Sequence, residues 1–184
     1  MMRRCLTRAD KWGASLTSST SGNTRAISSS GEQKAVSQGD VVIVGGGMVG
    51  SSLAAGLAQN PAFSNRKVVL LEAAPEKPYQ PLPPGSFTNR VSALNPHTAK
   101  FLDGLGAWNP HIAQKSHSFR RMYVWEECSP ASIEFSEEEA MGHMVENDVT
   151  TAALTTVMKQ QCHPDRLEVV YGARIEGVEL RSGH

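Results

Sequence analysis

Residues 41–56 read VVIVGGGMVGSSLAAG. Val41 to Val44 is a short β-branched run of the kind that makes a strand buried on both faces. Glycines follow at once, and Ser51 to Gln59, SSLAAGLAQ, reads as a helix with small residues on the face nearest them. Asn60-Pro61 ends that helix. Lys67 to Glu72, KVVLLE, is a second apolar strand. Strand, helix and strand within about 32 residues make one βαβ unit, with parallel strands and a right-handed crossover. The fold class is therefore α/β, with a Rossmann-like βαβ unit at its start.

A GxGxxG pattern falls at Gly45, Gly47 and Gly50, between the expected strand and the expected helix. Each glycine has a physical task. Gly45 permits the tight turn out of the strand. Gly47, without a Cβ, lets a diphosphate come close to the backbone, and Gly50 lets the helix pack closely on the strand. Backbone amides near Met48 and Val49 then face the phosphate charge with the helix dipole behind them. Glu72 ends the second strand about 22 residues beyond Gly50, where a carboxylate can accept both hydroxyls of an adenosine ribose. A carboxylate there repels a 2′-phosphate and so disfavours NADP. These features select an ADP-containing dinucleotide without separating FAD from NAD.

Bulk properties exclude other classes. Lysine plus arginine and aspartate plus glutamate balance at 18 each in 184 residues, so no net field draws the chain to nucleic acid. No apolar run nears the roughly 20 residues of a membrane-spanning helix. Cys5, Cys128 and Cys162 have neither metal-ligand nor disulfide-framework spacing and read as ordinary thiols of a reducing compartment. His143 and Glu146 sit three apart with no further ligand, so no metal site is expected.

Residues 1–38 differ from the rest. They are rich in Ser, Thr and Arg, with Arg3, Arg4, Arg8 and Lys11 among Leu6, Trp12 and Leu16. Such a segment cannot bury enough apolar surface to fold. Its composition is that of a mitochondrial transit peptide, the alternative being a disordered tail without an address. Residues 39–184 carry the fold. After Glu72 runs a proline-dense loop, then a helix from Pro96, a hairpin over 121–125 and 133–135, a helix after Asn147, and strands over 166–171 and 173–180.

NRVSALNPHTAKFLDGLGAW resembles the segment after the first βαβ unit in class A flavoprotein monooxygenases, the group that contains para-hydroxybenzoate hydroxylase. FRRMYVWEECSPASIEF and MGHMVENDVTTAAL are similar to the ubiquinone-biosynthesis branch of that family. The resemblance runs from about Asp40 to the last residue. It implies that Arg90 reaches the FAD diphosphate and ribityl region. It also implies that Glu146 or Asn147 makes a polar contact to FAD, and that the hairpin belongs to a mixed-sheet substrate domain. The family's later DG and GD motifs do not occur before His184, so the chain is expected to be the N-terminal part of such an enzyme.

The implied function is FAD-dependent hydroxylation, at C5, of a polyprenylated hydroxybenzoate-type ring in ubiquinone biosynthesis. The implied setting is the matrix face of the mitochondrial inner membrane, peripherally bound, with O2, an electron-donating redox partner and other biosynthetic proteins. In that family the flavin carries the chemistry and the protein supplies binding and a sheltered pocket, so no catalytic side chain is named. A non-catalytic FAD-binding fragment and an NAD-dependent dehydrogenase are the alternatives.

Overall fold

The computed structural model describes residues 3–8, 38–83, 85–108 and 110–180. Along the chain lie β1 (Arg3–Arg8), β2 (Val41–Val44), α1 (Met48–Gln59), β3 (Val68–Glu72), β4 (Val91–Leu94) and α2 (Pro96–Gly104). There follow α3 (Pro110–Lys115), β5 (Ser116–Phe119), β6 (Arg121–Trp125), β7 (Ser132–Ser136), β8 (Gly142–Glu146), α4 (Asn147–Gln161), β9 (Leu167–Tyr171) and β10 (Arg174–Leu180).

The expected βαβ unit is present. β2 and β3 are parallel, Val41 opposite Val68 and Val44 opposite Leu71, and β9 adds a third parallel strand on the far side of β3. As the middle strand, β3 alternates its side chains between two cores. Val68 and Leu70 join a large cluster with α1 and α4, and Val69 and Leu71 join a small one with Ala173, Val42 and Ile175. Burial on both faces is why this strand is a continuous apolar run with no polar alternation.

Helix α1 presents Ser51, Ala54, Ala55 and Ala58 inward, all essentially inaccessible. Small side chains on that face let α1 lie close to both the parallel sheet and α4. Helix α4 answers with Val149, Ala153, Leu154 and Val157, spaced three and four apart on its buried face. Asn60 ends α1 as expected. Its side chain accepts from the Ala62 amide at 2.9 Å, opening a 3-10 turn at Pro61–Phe63, and its carbonyl accepts from Arg166 at 2.8 Å.

Strands β4, β5 and β8 were not among the expected elements. They form an antiparallel sheet with β8 between β4 and β5, Val91 opposite Glu146 and Ser116 opposite Val145. The hairpin β6–β7 forms separately, in the expected place. Its cross-strand register puts Met122 and Val124 opposite Phe135 and Ile133 on one face, and Arg121, Tyr123 and Trp125 opposite Ser136, Glu134 and Ser132 on the other.

Within the segment read as an unstructured leader, Arg3–Arg8 is a strand antiparallel to β10. A free strand edge offers backbone donors and acceptors that pair with little regard to composition, which is how a polar segment can enter a ribbon. Residues 9–37 lie outside the described residues.

Leu154 is fully buried where α4 meets α1 and the sheet. Leu154→Ala is expected to cost about 3 kcal/mol, from lost transfer energy plus the cavity left behind. Urea unfolding should show the lower midpoint with an unchanged slope.

Candidate functional site

The turn from β2 into α1 is fixed by contacts that demand glycine. Gly45 has φ +99°, a conformation L side chains rarely adopt, and its amide donates to the Leu71 carbonyl at 2.8 Å. A Cβ on Gly50 would lie 1.9 Å from the Gly45 carbonyl oxygen and 3.4 Å from Ile43 Cγ2. The close approach expected for Gly50 is therefore chiefly to the turn's own carbonyl and secondarily to the strand. At Gly47 a Cβ would meet no atom within 4 Å, so that side of the loop is open.

The helix end above the loop is uncapped by any side chain and has no acidic residue in its first turn. Met48 is half-buried and Val49 is 83% exposed. The orphan amides of the first helical turn thus lie beside open space, an arrangement suited to an anion.

Glu72 reaches this loop from β3. One carboxylate oxygen accepts from the Gly46 amide at 2.5 Å and the other from the Ala74 amide at 2.7 Å. A Cβ on Gly46 would sit 2.9 Å from the first of those oxygens. Gly46, which the GxGxxG pattern passes over, is thus the residue that lets the acid close on the loop. A carboxylate has about four acceptor sites, so after two amide bonds Glu72 can still accept two hydroxyls.

The second group of expected residues gathers at the junction of β4, β8 and α4. The Asn147 amide donates to the Arg90 carbonyl at 2.9 Å, and Ser92 Oγ donates to Asn147 Oδ1 at 2.7 Å. Glu146 is 4% exposed and accepts from the Thr88 amide at 2.7 Å, with Lys115 Nζ 3.9 Å from its other oxygen. The Thr88 amide bond holds the Glu146 carboxyl below the usual carboxylate range against the opposing effect of burial; the Thr88 hydroxyl and the Lys115 ammonium assist. The Arg90 side chain is exposed and pairs with no carboxylate among the described residues.

Gly45, Gly47, Met48, Val49, Gly50 and Glu72 therefore form one constellation, and Arg90, Glu146 and Asn147 a second. Ile43, Ala54 and Ala55 share a core cluster with Val145, Val149 and Ala153, which ties the elements bearing the two groups together. Surface hollows occur elsewhere, one at the hairpin by Tyr123, Trp125 and Pro130 and one beside α4 and β9 by Met158, Cys162 and Tyr171. The glycine loop is an open ledge and not part of either. Among the described residues no group of three His, Cys, Asp or Glu side chains could hold a metal ion, and no helix is long and apolar enough to cross a membrane.

Comparison with known proteins narrows the owner of this loop. No family model matches the chain. The mitochondrial ubiquinone biosynthesis monooxygenase COQ6 of Xenopus tropicalis is 43% identical over 137 residues, 73% of this chain and 29% of that protein. Over that span the chain resembles the ubiquinone-biosynthesis monooxygenases. The 3-demethoxyubiquinol 3-hydroxylase of Escherichia coli is 36% identical over 129 residues, 68% of this chain and 31% of that protein. The chain thus spans less than a third of the length of these relatives. A crystal structure of PqsL from Pseudomonas aeruginosa, a probable FAD-dependent monooxygenase, superposes with a TM-score of 0.53 at 16% identity, covering 75% of this chain and 34% of that one. That likeness establishes the fold: the α/β arrangement of flavoprotein monooxygenases, with a Rossmann-like unit and a mixed set of further strands.

Two outcomes check the geometry. Gly50→Ala should destabilise by about 3 kcal/mol through its collision with Gly45, whereas Gly47→Ala, with open space and φ −70°, should leave the melting temperature nearly unchanged while weakening dinucleotide binding. The lowered Glu146 pKa means the unfolded chain binds the extra proton in the window below 4.5, so this group's stabilisation is present above that window and lost as pH falls through it. Glu146→Gln should remove its share of that acid limb, read as a shallower slope of urea midpoint against pH.

Proposed function

We propose that the chain binds FAD along the ledge formed by Gly45–Gly50, Glu72 and Arg90, as part of a monooxygenase that hydroxylates an aromatic ring in ubiquinone biosynthesis. The observation that carries this is the open face of Gly47 beneath an uncapped helix end, with the Glu72 carboxylate locked to the adjacent Gly46 amide. The diphosphate would meet the amides near Met48 and Val49, the adenosine ribose would bond to Glu72, and the Arg90 guanidinium would pair with phosphate oxygens.

Of the two polar candidates at the start of α4, Asn147 suits the cofactor better. Glu146 is buried with its carboxylate engaged by Thr88 and Lys115. Asn147 is half-buried and uses its side-chain oxygen on Ser92, which leaves the amide NH2 as the group to donate to a ligand.

The substrate is a polyprenylated hydroxybenzoate-type ring, hydroxylated at C5. One atom of O2 enters the ring and the other leaves as water, with two electrons from a redox partner. When bound, the flavin supplies the oxygen chemistry. The chain's own residues hold its adenine half, and the β6–β7 hairpin, with Met122, Val124, Ile133 and Phe135 on one face, belongs to the substrate side. The names of the COQ6 relatives support a mitochondrial setting; on this proposal residues 1–38 are the transit segment, and the place is peripheral, at the matrix side of the inner membrane among other biosynthetic proteins.

FAD titration followed by flavin fluorescence tests the reading. Arg90→Ala should weaken binding about tenfold, since a charged hydrogen bond contributes about 1.5–3 kcal/mol. Wild-type affinity in that variant, or preference for NAD over FAD, would overturn it.

A further inference from the structure

We infer that Lys115 is a positioning residue for the cofactor site: with Glu146 it forms a half-buried clamp that sets the segment carrying Arg90. The inference rests on the reading that Arg90 meets the cofactor diphosphate, and it concerns a residue that touches no part of that cofactor.

Segment 87–92 has little to hold it by itself. Phe87 is 69% exposed, Thr88 is half-buried, and Arg90 and Val91 are exposed. It follows a proline-dense loop and becomes the short edge strand β4, paired with β8 on one side only. Three side chains from elsewhere seize it. Glu146 accepts from the Thr88 amide at 2.7 Å, and Asn147 accepts from the Ser92 hydroxyl at 2.7 Å while its backbone amide donates to the Arg90 carbonyl. Lys115, from the end of α3, completes the set. Its ammonium lies 3.9 Å from Glu146 Oε1 and 5.3 Å from the centre of the Phe87 ring, and its side chain is only 18% exposed.

The chemistry explains why a lysine stands there. A buried carboxylate is costly unless its charge is compensated, and an ammonium 3.9 Å from its second oxygen adds to what the Thr88 amide supplies at the first. The lysine side chain is mostly withdrawn from solvent, and its charge rests over the Phe87 ring. Contacts on both sides of residue 90, at 87–88 and at 92, define the direction in which its side chain leaves the backbone. Positioning of this kind matters because paired hydrogen bonds from guanidinium to phosphate tolerate little displacement.

The test is a double-mutant cycle on the 184-residue chain, read as FAD dissociation constants with thermal unfolding alongside. Lys115→Met keeps the stem and removes the charge; it should weaken FAD by about fivefold. The same change made in an Arg90→Ala background should add less than about twofold, because Lys115 acts through Arg90. Lys115→Arg should restore most of the affinity. Glu146→Gln keeps an oxygen for the Thr88 amide, so it removes the clamp from the other side if Lys115→Met fails to fold, and it should show the same loss and the same dependence on Arg90. Losses that multiply through the Arg90→Ala background, or wild-type affinity in Lys115→Met or in Glu146→Gln, overturn the inference. An Arg90→Ala variant with unchanged affinity defeats the reading of Arg90 itself, a separate and distinguishable failure.

Discussion

The close approach of Gly50 to the carbonyl of Gly45 is the constraint from which the rest of the arrangement follows. It fixes how closely the first turn of α1 can lie on the loop that precedes it, and no side chain larger than hydrogen is compatible with it. From the opposite side β3 grips the same loop, through the Leu71 carbonyl on the Gly45 amide and the Glu72 carboxylate on the Gly46 amide. The loop is thus held between its own helix and the neighbouring strand. The direction of α1 follows, and with it the place of α4, whose apolar stripe packs on the small face of α1.

Through α4 the constraint passes to the second sheet. The helix begins at Asn147 immediately after β8, so the position of α4 determines where Glu146 and Asn147 present their side chains. These two residues anchor the segment that runs through Arg90 into the edge strand β4. Two constellations far apart in sequence are in this way coupled by one apolar cluster and a few buried polar bonds. The apolar contacts supply most of the stabilisation, since burial of Val, Leu and Ile side chains contributes about 1.5–3 kcal/mol each. The polar bonds contribute less energy and more definition of geometry.

The part of the fold that could be read from residues is the part in which one segment decides its own state. The run at 41–44, the glycines, the small helix and KVVLLE need no distant partner to be recognised. β4, β5 and β8 escape recognition for the opposite reason. VSAL, SHSF and GHMVE are four or five residues long, mix polar with apolar side chains, and become strands only by pairing with one another. The site divides in the same way. Gly45, Gly47, Gly50 and Glu72 are legible by spacing, whereas Gly46 is hidden inside a run of three glycines until the reach of Glu72 is known. Lys115 gives no signal at all, because its partners Glu146 and Phe87 are 31 and 28 positions away.

The distribution of charge bears on what the ledge can offer a dinucleotide. A diphosphate bridge carries about two negative charges, and a nearby carboxylate left unpaired would oppose it. Glu146 is not left so: it is buried, with one oxygen on the Thr88 amide and the other beside Lys115. Lys115 is spent on that task and is not available to the phosphates. Glu72 is likewise turned to backbone amides, at the end where ribose hydroxyls and not phosphates would lie. On the proposed reading, attraction for the diphosphate therefore falls to backbone amides and to Arg90, the one cation in the two constellations without an acidic partner among the described residues. A single exposed guanidinium is screened by salt and mobile by nature, so its value depends on how firmly the backbone beneath it is held. The buried clamp and the exposed arginine are in that sense one device: the first keeps a charge away from the cofactor, and by doing so aims another at it.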